Sequence, residues 1–466
     1  MPVVTRFAPS PTGFLHIGGA RTALFSYLFA KKHEGRFLLR IEDTDRERST
    51  DAAVKAIFDG MDWLGLAADE KPIFQTQRYE RYREVANQML TEGHAYRCYC
   101  TKAELDEMRA GQVARKQKPR YDGRCRHRAE APDLPSVIRF RNPEEGATVV
   151  SDLIRGDIVF QNAELDDLIL VRTDGNPTYN FCVVVDDRDM QVTHVIRGDD
   201  HVNNTPRQIN ILVALGASPP AYAHVPMILG SDGVKLSKRH GAVSVIEYRA
   251  LGFHPDAVLN YLVRLGWSHG DQELFTREEM ARLFDVGQVQ KSAARFDLEK
   301  LIWVNHELLK RMEPAAAIGE FCWHLERIGV STKDGPRLED VFLAQRERCK
   351  TFVEMAEKSR FFYEEPKGYN DKDAAKHFTP AAAEVLEALA ASLEKAQWTV
   401  EAVHAAVHGL AESRGVALGQ VAQPIRVAVA GMAISPPIDQ TLALLGRERT
   451  LARLGAAAAH IRKNVK

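Results

Sequence analysis

The chain has 466 residues, of which 45% are apolar and 27% are charged, and its net charge is −1. This composition is ordinary for a soluble globular protein, and the length predicts roughly three to five domains. The near-zero charge excludes nucleic-acid binding by overall charge, and the lack of an apolar run of about 18 residues excludes a transmembrane helix. Because the first predicted strand starts at Val3, we expect no signal peptide and a cytoplasmic location.

The first 230 residues alternate short apolar strands with helices, which predicts a parallel α/β sheet of the Rossmann type. Ser49 or Thr50 is a suitable N-cap for the second helix, and Gly93 ends the third. The predicted strands are residues 3–7, 37–41, 181–185, 192–196 and 223–229, and the predicted helices are residues 21–33, 51–64 and 79–91.

A stretch from about residue 95 to residue 177 interrupts this alternation. It contains cysteines, a basic run and short predicted strands at 137–140, 149–153 and 168–172, so we interpret it as an insertion that splits the sheet. After about residue 242 the strands stop and helices rich in alanine and leucine follow. These include 255–265, 298–309, 316–328, 381–392 and 400–412, with a candidate boundary at 366–372.

A proline- and glycine-rich turn at residues 6–20 (RFAPSPTGFLHIGGA) joins the first strand to the first helix. Gly18 and Gly19 let the backbone approach a ligand, and the helix N-terminus suits a phosphate. His16 stands where an imidazole can donate a hydrogen bond to that phosphate. Taken alone, the turn is more typical of a proline-rich structural turn with a core histidine.

A second glycine-bounded loop at residues 230–241 (GSDGVKLSKRHG) carries Lys235 and Lys238, three residues apart. Lysines in such a loop can close over a polyphosphate and stabilise charge that grows in a transition state. By itself the loop is typical of a solvated charged surface.

Together the two motifs, HIGG at 16–19 and KLSKR at 235–239, resemble the two signatures of class I aminoacyl-tRNA synthetases. RFAPSPTG at 6–13, RIEDTD at 40–45 and RGDDH at 197–201 resemble the glutamate/glutamine branch of that class. The chain resembles bacterial-type glutamyl-tRNA synthetases over essentially its whole length. It departs from the class consensus at Gly19, Leu236 and Arg239. Its helical C-terminal half also differs from the β-barrels of typical glutaminyl-tRNA synthetases.

The resemblance implies a division of the chain into six parts. These are a Rossmann catalytic domain at 1–94 and 178–240, an inserted acceptor-binding domain at 95–177, a stem-contact helical domain at 241–310, and two helical anticodon-binding domains at 311–370 and 371–466.

The activity implied is that of a ligase. It activates L-glutamate with ATP to glutamyl-adenylate and transfers the glutamate to the 3′ end of tRNA(Glu), releasing AMP and pyrophosphate. By the same resemblance His16, Lys235 and Lys238 are catalytic, and His16, Gly18, Gly19 and Lys238 bind ATP. Mg²⁺ is expected as a cofactor that bridges phosphate oxygens.

Glutamate carries two carboxylates and an ammonium, so its pocket needs cations and one anion. Arg6 and Glu42 lie at the ends of the first two predicted strands, and Arg197 follows a later one. The carboxyl ends of parallel strands converge on ligands. The two arginines suit carboxylates, and Glu42 suits the ammonium. A surface ion pair is the alternative for any one of them. The glutamate site implied by the resemblance comprises Arg6, Ala8, Ser10, Glu42, Tyr179 and Arg197.

Cys98, Cys100, Cys125 and His127 offer three thiolates and one imidazole inside the inserted stretch. Zinc commonly takes four such ligands in a tetrahedron. The C-x-C and C-x-H spacings are tighter than the usual C-x-x-C, so ordinary reduced thiols are the alternative. The resemblance implies one structural zinc ion near the acceptor end of the tRNA.

Two sets of basic residues are candidates for tRNA contact. Arg115 and Lys116 belong to a run in the insertion, interleaved with Tyr121, that also includes Lys118, Arg120, Arg124, Arg126 and Arg128. Farther on, Arg346, Arg348 and Lys350 form a second set, in which Arg348 is the candidate to read the third anticodon base. A solvated charged face is the alternative for both.

Three other functions fit parts of the sequence. A truncated relative that glutamylates a modified base of tRNA(Asp) lacks the anticodon half, whereas this chain continues for more than 200 residues after Gly241. A small-molecule nucleotidyltransferase would not need the helical tail. A tRNA-binding paralogue without catalysis would not need the intact motifs. Whether tRNA(Gln) is also charged stays open, and the family resemblance implies a monomer.

Overall fold

The computed structural model describes residues 2–128, 132–234, 236 and 244–464. The predicted catalytic residues Lys235 and Lys238 lie outside the described residues. The chain forms two compact units, one of Met1–Glu247 with Val258–Asp297 and one of Tyr248–Ala257 with Leu298–Lys466. The finer six-part division stays a prediction.

The first unit contains all the strands described. In chain order they are β1 (Val4–Phe7), β2 (Arg36–Ile41), β3 (Ile73–Phe74), β4 (Ala95–Cys98), β5 (Val137–Phe140), β6 (Ala147–Asp152), β7 (Gly156–Gln161), β8 (Ile169–Val171), β9 (His194–Gly198), β10 (Ala221–Val225), β11 (Ile228–Leu229) and β12 (Ala294–Arg295).

Parallel pairing dominates two of the sheets in this unit. β1, β2 and β3 pair in that order, all parallel, and a second sheet has the order β7-β6-β10-β9 with β6, β10 and β9 parallel. The N–H of Thr193 donates to the carbonyl of Val4 at 2.9 Å, which brings β9 beside β1. The carboxyl ends of β1, β2 and β9 therefore open toward one place, as expected for a Rossmann-type sheet.

The helices of this unit connect the strands. They are α1 (Ile17–Lys32), α2 (Asp51–Leu64), α3 (Tyr79–Thr91), α4 (Lys102–Ala114), α5 (Tyr179–Asp189), α6 (Thr205–Ala214), α7 (Val245–Ala250), α8 (Pro255–Arg264) and α9 (Arg277–Leu283), of which α7 and α8 begin in one unit and end in the other.

Local signals set several of these boundaries. The hydroxyl of Thr50 accepts a hydrogen bond from Ala53 N–H, so α2 begins where the capping residue predicts. Gly65, with φ of 67°, ends α2 in a left-handed conformation that suits glycine. The bounds predicted for α2 and α3 are confirmed.

The strand predicted at residues 181–185 is wrong, because this segment lies inside helix α5. Its β-branched run is typical of a strand, but Phe181 and Val183 to Val185 are all buried. A helix that is buried on most sides loses the 3.6-residue apolar period that identifies a surface helix. Tertiary burial therefore overrides the local β preference here.

The inserted stretch contributes to two different sheets. β4, β5 and β8 form a separate antiparallel sheet, whereas β6 pairs in parallel with β10 and carries β7 beside it as a hairpin. The stretch thus holds its own small sheet and also extends the parallel sheet. Strands do not stop entirely after residue 242, because β12 pairs with β11.

The second unit, as far as it is described, is helical. Its helices after α8 are α10 (Leu298–Arg311), α11 (Pro314–Arg327), α12 (Leu338–Gln345), α13 (Phe352–Ser359), α14 (Asp371–His377), α15 (Pro380–Lys395), α16 (Val400–Ser413), α17 (Leu418–Ala430), α18 (Ile438–Leu445) and α19 (Arg447–Asn464). One continuous apolar core runs through it, including Phe321, Phe352 and Leu389. Across the described chain, every helix is too short or too polar to cross a membrane.

Candidate active site

A cavity of about 520 Å³ opens at the carboxyl ends of β1, β2 and β9. This volume is typical of a small-molecule site. All of the described residues that the sequence assigns to ATP or glutamate line it. They are Arg6, Ala8, Ser10, His16, Gly18, Gly19, Glu42, Tyr179 and Arg197.

His16 is the N-cap of α1, and its Nδ1 accepts a hydrogen bond from Gly19 N–H at 3.1 Å. An imidazole nitrogen that accepts is unprotonated, so a neutral ring carries its proton on Nε2. A Cβ built on Gly18 would lie 3.1 Å from His16 Nδ1. The glycine therefore keeps room for the imidazole at the start of α1.

A buried ion network lies beneath the glutamate side of the cavity. Arg6 donates from Nε and Nη2 to the carboxylate of Asp187, at 3.1 and 3.4 Å. Arg40 donates to the same carboxylate at 2.6 Å and to Glu42 at 3.0 Å. Each of these four side chains is buried. The network thereby links Arg6, the cation predicted to bind a substrate carboxylate, to Glu42, the anion predicted to bind the substrate ammonium.

The two carboxylates of this network differ in their environment. Burial opposes ionisation of Asp187, but Arg6 and Arg40 outweigh it and hold its pKa below the usual range. Burial raises the pKa of Glu42, and Arg40 and Arg6 offset only part of this effect. Asp187 is therefore the fixed counter-ion, whereas Glu42 gains from a cation that enters the cavity.

Arg197 and Tyr179 face the cavity from β9 and from the start of α5. The hydroxyl of Tyr179 lies 3.2 Å from Nδ1 of His201, and burial raises the tyrosine pKa, so the hydroxyl stays protonated. Burial and the charge of Arg197 lower the pKa of His201 to about 4. His201 is therefore neutral at pH 7, and the positive charge of this wall comes from the arginines.

Sequence reasoning missed Asp187, Arg40 and His201 as parts of the site. Arg40 and His201 belong to the RIEDTD and RGDDH motifs, so the motifs were a usable signal for them. Asp187 lies 181 residues from Arg6, two residues after the segment predicted to be a strand. Only the packing of α5 brings it under the cavity.

Three cysteines of the insertion cluster at the end of β4. The sulfurs of Cys98, Cys100 and Cys125 all lie within 4.8 Å of one another, with Cys100 Sγ 3.6 Å from Cys125 Sγ. Tetrahedral zinc with Zn–S bonds of about 2.3 Å holds its sulfurs about 3.8 Å apart. The hydroxyl of Tyr121 lies 3.3 Å from Cys98 Sγ and 3.9 Å from Cys100 Sγ. The donor set and its spacing fit zinc.

His127, the fourth predicted ligand, is not brought to this cluster. Its side chain is exposed, and its ring nitrogens are not among the clustered ligand atoms of the described residues. The preceding Arg126 turns inward to Asp167, at 2.8 Å, whereas His127 faces solvent. Tyr121, which the sequence places only among basic residues, is the polar group found beside the sulfurs.

Residues 2–303 match the family of class I tRNA synthetases for E and Q, over its catalytic domain. The chain belongs to this family. Residues 307–458 of the synthetase also match the anticodon binding domain family. The resemblance drawn from the sequence motifs is thus confirmed, as is the class I enzyme assignment.

Relatives match this synthetase over nearly its full length. It is 58% identical over 458 residues to "Glutamate--tRNA ligase 1" of Alkalilimnicola ehrlichii, which covers 98% of this chain and 97% of the relative. A glutamate tRNA ligase from Elizabethkingia meningosepticum, solved in complex with its amino acid, is 32% identical with a TM-score of 0.84 over 100% of both chains. A glutamate-tRNA synthetase from Elizabethkingia anophelis is 32% identical with a TM-score of 0.80, over 98% of this chain and 100% of that one. The predicted fold class is confirmed.

The basic run of this synthetase divides into two groups. Arg115 and Lys116, at the end of α4, are exposed, as are Lys118, Arg120, Arg124 and Arg128. Arg126 is buried and pairs with Asp167, so the prediction that it belongs to the basic surface is wrong. A carboxylate of the inserted sheet thus removes one member of the run from solvent.

In the helical unit of the synthetase, Arg348 and Lys350 are exposed, between α12 and α13. Arg346 is half-buried and donates to the carbonyl of Met312. Arg348 also lies near enough to Arg426 of α17 for its charge to lower the pKa of that residue, after burial itself. The predicted anticodon reader therefore stands in locally positive surroundings.

Proposed function

We propose that this synthetase activates L-glutamate with ATP and transfers it to the 3′ end of tRNA(Glu), releasing AMP and pyrophosphate. The observation that carries the proposal is the single cavity in which the His16 turn meets two arginines and Glu42. The His16 turn suits a nucleotide phosphate, whereas the two arginines and Glu42 suit an amino acid with two carboxylates. A site for a neutral amino acid would need only one such cation.

The amino acid is held by charge complementarity in this proposal. Arg6 and Arg197 bind the two carboxylates, which planar guanidinium groups match well. Glu42 receives the ammonium, and Tyr179 offers a hydroxyl. Ala8 and Ser10 complete the wall between Arg6 and the α1 turn. The α-carboxylate is thereby oriented toward the α-phosphate that it attacks.

The nucleotide is held at the start of α1. His16 donates from Nε2 to a phosphate, and the backbone at Gly18 and Gly19 lies against it. Lys235 and Lys238 stabilise the charge that passes to the leaving pyrophosphate, because fixed cations act most strongly where charge develops. Mg²⁺ is proposed to arrive with ATP, where it would neutralise part of the charge of the phosphates.

The cysteine cluster is proposed to hold one structural zinc ion. Cys98, Cys100 and Cys125 supply thiolates to it. His127, the ligand that the sequence motif suggests, would have to turn inward, whereas Tyr121 already contacts two of the sulfurs. The ion's chemistry there is structural, because it ties β4 to the turn that carries the exposed basic run.

The tRNA is proposed to meet the exposed basic run, including Arg115 and Lys116, with its acceptor end, and Arg348 with its anticodon. Locally clustered cations are needed because the chain has a net charge of only −1. We further propose a cytoplasmic monomer, which sedimentation of the purified protein with and without tRNA would test.

Charging assays test the function. The purified chain with ATP, Mg²⁺ and tRNA(Glu) should esterify glutamate and leave glutamine uncharged. Glutamate-dependent pyrophosphate exchange should require tRNA, a property carried over from the resemblance. Parallel reactions with tRNA(Gln) settle whether that tRNA is a second substrate. Charging of glutamine, or exchange supported equally by both amino acids, would contradict the proposal.

A further inference from the structure

Three neighbouring parallel strands each place one polar side chain in a buried row behind the cavity. Asp152 ends β6, His224 lies on β10, and Arg197 lies on β9, where it is the register partner of His224. His224 Nδ1 lies 2.6 Å from Asp152 Oδ2, and Arg197 Nε donates to His224 Nε2 at 3.2 Å. The row therefore connects an acid, an imidazole and the arginine of the cavity wall.

The hydrogen bonds of this row define one tautomer of His224. Asp152 is held ionised, since two backbone N–H groups, of Ile154 and Arg155, donate to its Oδ1 at 2.9 and 2.8 Å. An ionised carboxylate only accepts, so Nδ1 of His224 carries a proton. Arg197 Nε–H only donates, so Nε2 of His224 carries no proton, and the hydroxyl of Thr205 also lies 3.0 Å from this nitrogen. His224 is thus a neutral imidazole, and burial favours the same state by lowering its pKa.

The two arginines of the cavity are held by different kinds of partner. Arg6 donates from Nε and Nη2 to the carboxylate of Asp187. Arg197 uses the same two nitrogens on neutral groups, with Nη2 donating to the hydroxyl of Thr205 at 2.8 Å. Within the described part of the chain, Arg197 Nη1 is buried and has no hydrogen-bond partner. Among the described residues, Arg197 is therefore a fixed cation without a direct carboxylate partner.

We propose that Asp152 and His224 are positioning residues that present Arg197, with its full charge, to a carboxylate of the substrate. Asp152 selects the tautomer of His224, and the bare Nε2 then holds the guanidinium without neutralising it. Neither residue lines the cavity, so both act through Arg197. This inference rests on the proposed function, in which Arg197 binds glutamate.

The alternative is that the row only stabilises the sheet. A positioning role and a purely structural role both predict that replacement of His224 lowers the melting temperature. The two hypotheses differ in which substrate is affected, because only a positioning role predicts a change in the KM for glutamate and not in the KM for ATP. They also differ in coupling, since residues that act through one another give non-additive effects in a double-mutant cycle.

The test compares His224→Leu with His224→Gln, whose amide oxygen can stand near the site of Nε2 and accept from Arg197. We expect His224→Leu to raise the KM for glutamate about 10- to 100-fold, the scale of a small misplacement, with the KM for ATP unchanged. His224→Gln should recover most of this loss. In an Arg197→Lys background, His224→Leu should add little. His194→Leu, at the start of β9 and away from the cavity, is the control.

The outcomes separate the inference from the function on which it rests. If the unaltered protein does not activate glutamate, the proposed function fails and the inference falls with it. If it does, an unchanged glutamate KM in folded His224→Leu, or additive losses with Arg197→Lys, overturns the inference alone. If His224→Leu does not fold, ¹⁵N spectra of the unaltered protein decide. A proton on Nε2 of His224 overturns the inference, whereas a proton on Nδ1 supports it.

Discussion

Replacement of Arg6 by alanine removes one of the two cations from the cavity and should affect glutamate far more than ATP. Arg6 is buried at the end of β1 and shares Asp187 with Arg40. Because Arg40 keeps Asp187 paired at 2.6 Å, the fold retains a counter-ion for that carboxylate. A substrate carboxylate that enters the pocket would instead find no partner on the Arg6 side.

The magnitude follows from the cost of leaving one member of a buried ion pair unpaired, about 3–5 kcal/mol. At about 1.4 kcal/mol per factor of ten, this predicts a rise in glutamate KM of roughly 150- to 4,000-fold. Tyr179 and Glu42 stay in place in the variant, so the shape of the pocket is otherwise preserved. The KM for ATP should change by less than about threefold, because Arg6 lies on the amino-acid side.

The assay is pyrophosphate exchange with tRNA(Glu) present, with glutamate and ATP varied separately. Arg36→Ala on the neighbouring strand β2 is the matched control, since its pair with Glu70 is exposed to solvent. Thermal unfolding of both variants separates loss of folding from loss of binding. A folded Arg6→Ala protein whose glutamate KM stays within about threefold, a change below about 1 kcal/mol, would refute the role of Arg6. Arg197 would then hold a carboxylate alone.

Three further predictions concern other parts of the chain. Lys238→Ala should lower kcat for pyrophosphate exchange by about 10²-fold or more, because its charge acts on the leaving phosphates; near-normal exchange, compared with the exposed Lys372→Ala, would rule it out as a catalytic residue. Cys125→Ser should release zinc and weaken tRNA charging while sparing ATP affinity, whereas Cys322→Ser should do neither. Elemental analysis of the unaltered protein tests the premise, and less than about half an equivalent of zinc favours ordinary thiols. Arg40→Met should destabilise folding by about 3–5 kcal/mol in denaturant titration, since it leaves buried carboxylates underpaired; a loss below about 1 kcal/mol would show that the network relaxes.

Much of the candidate site could be predicted from sequence because its residues stand in short motifs tied to strand ends. His16, Gly18 and Gly19 lie where the turn after β1 enters α1, and Glu42 directly follows β2. In a parallel sheet, strand order along the chain already brings such positions to one edge. The metal cluster was predictable in part for a different reason, because Cys98 and Cys100 stand two residues apart in the chain.

The supporting residues of the site could not be predicted in this way. Asp187 reaches Arg6 across 181 residues, and Asp152 reaches His224 across 72. The local sequence around Asp187 or Asp152 does not indicate which residue either one will contact. Arg126 and His127 show the same limit, since adjacent residues of one polar run face opposite environments.

The sequence by itself determined the family, the α/β character of the first half, the helical second half and the bounds of helices such as α2, from Asp51 to Leu64. These depend on local terms, namely capping, left-handed glycine and apolar period. The tertiary structure decided that residues 181–185 are helical, that β6 joins the parallel sheet, and which buried groups hold Arg6 and Arg197. Burial and long-range pairing depend on packing between segments that are distant in the chain. At these positions that packing outweighs the local preference for helix or strand.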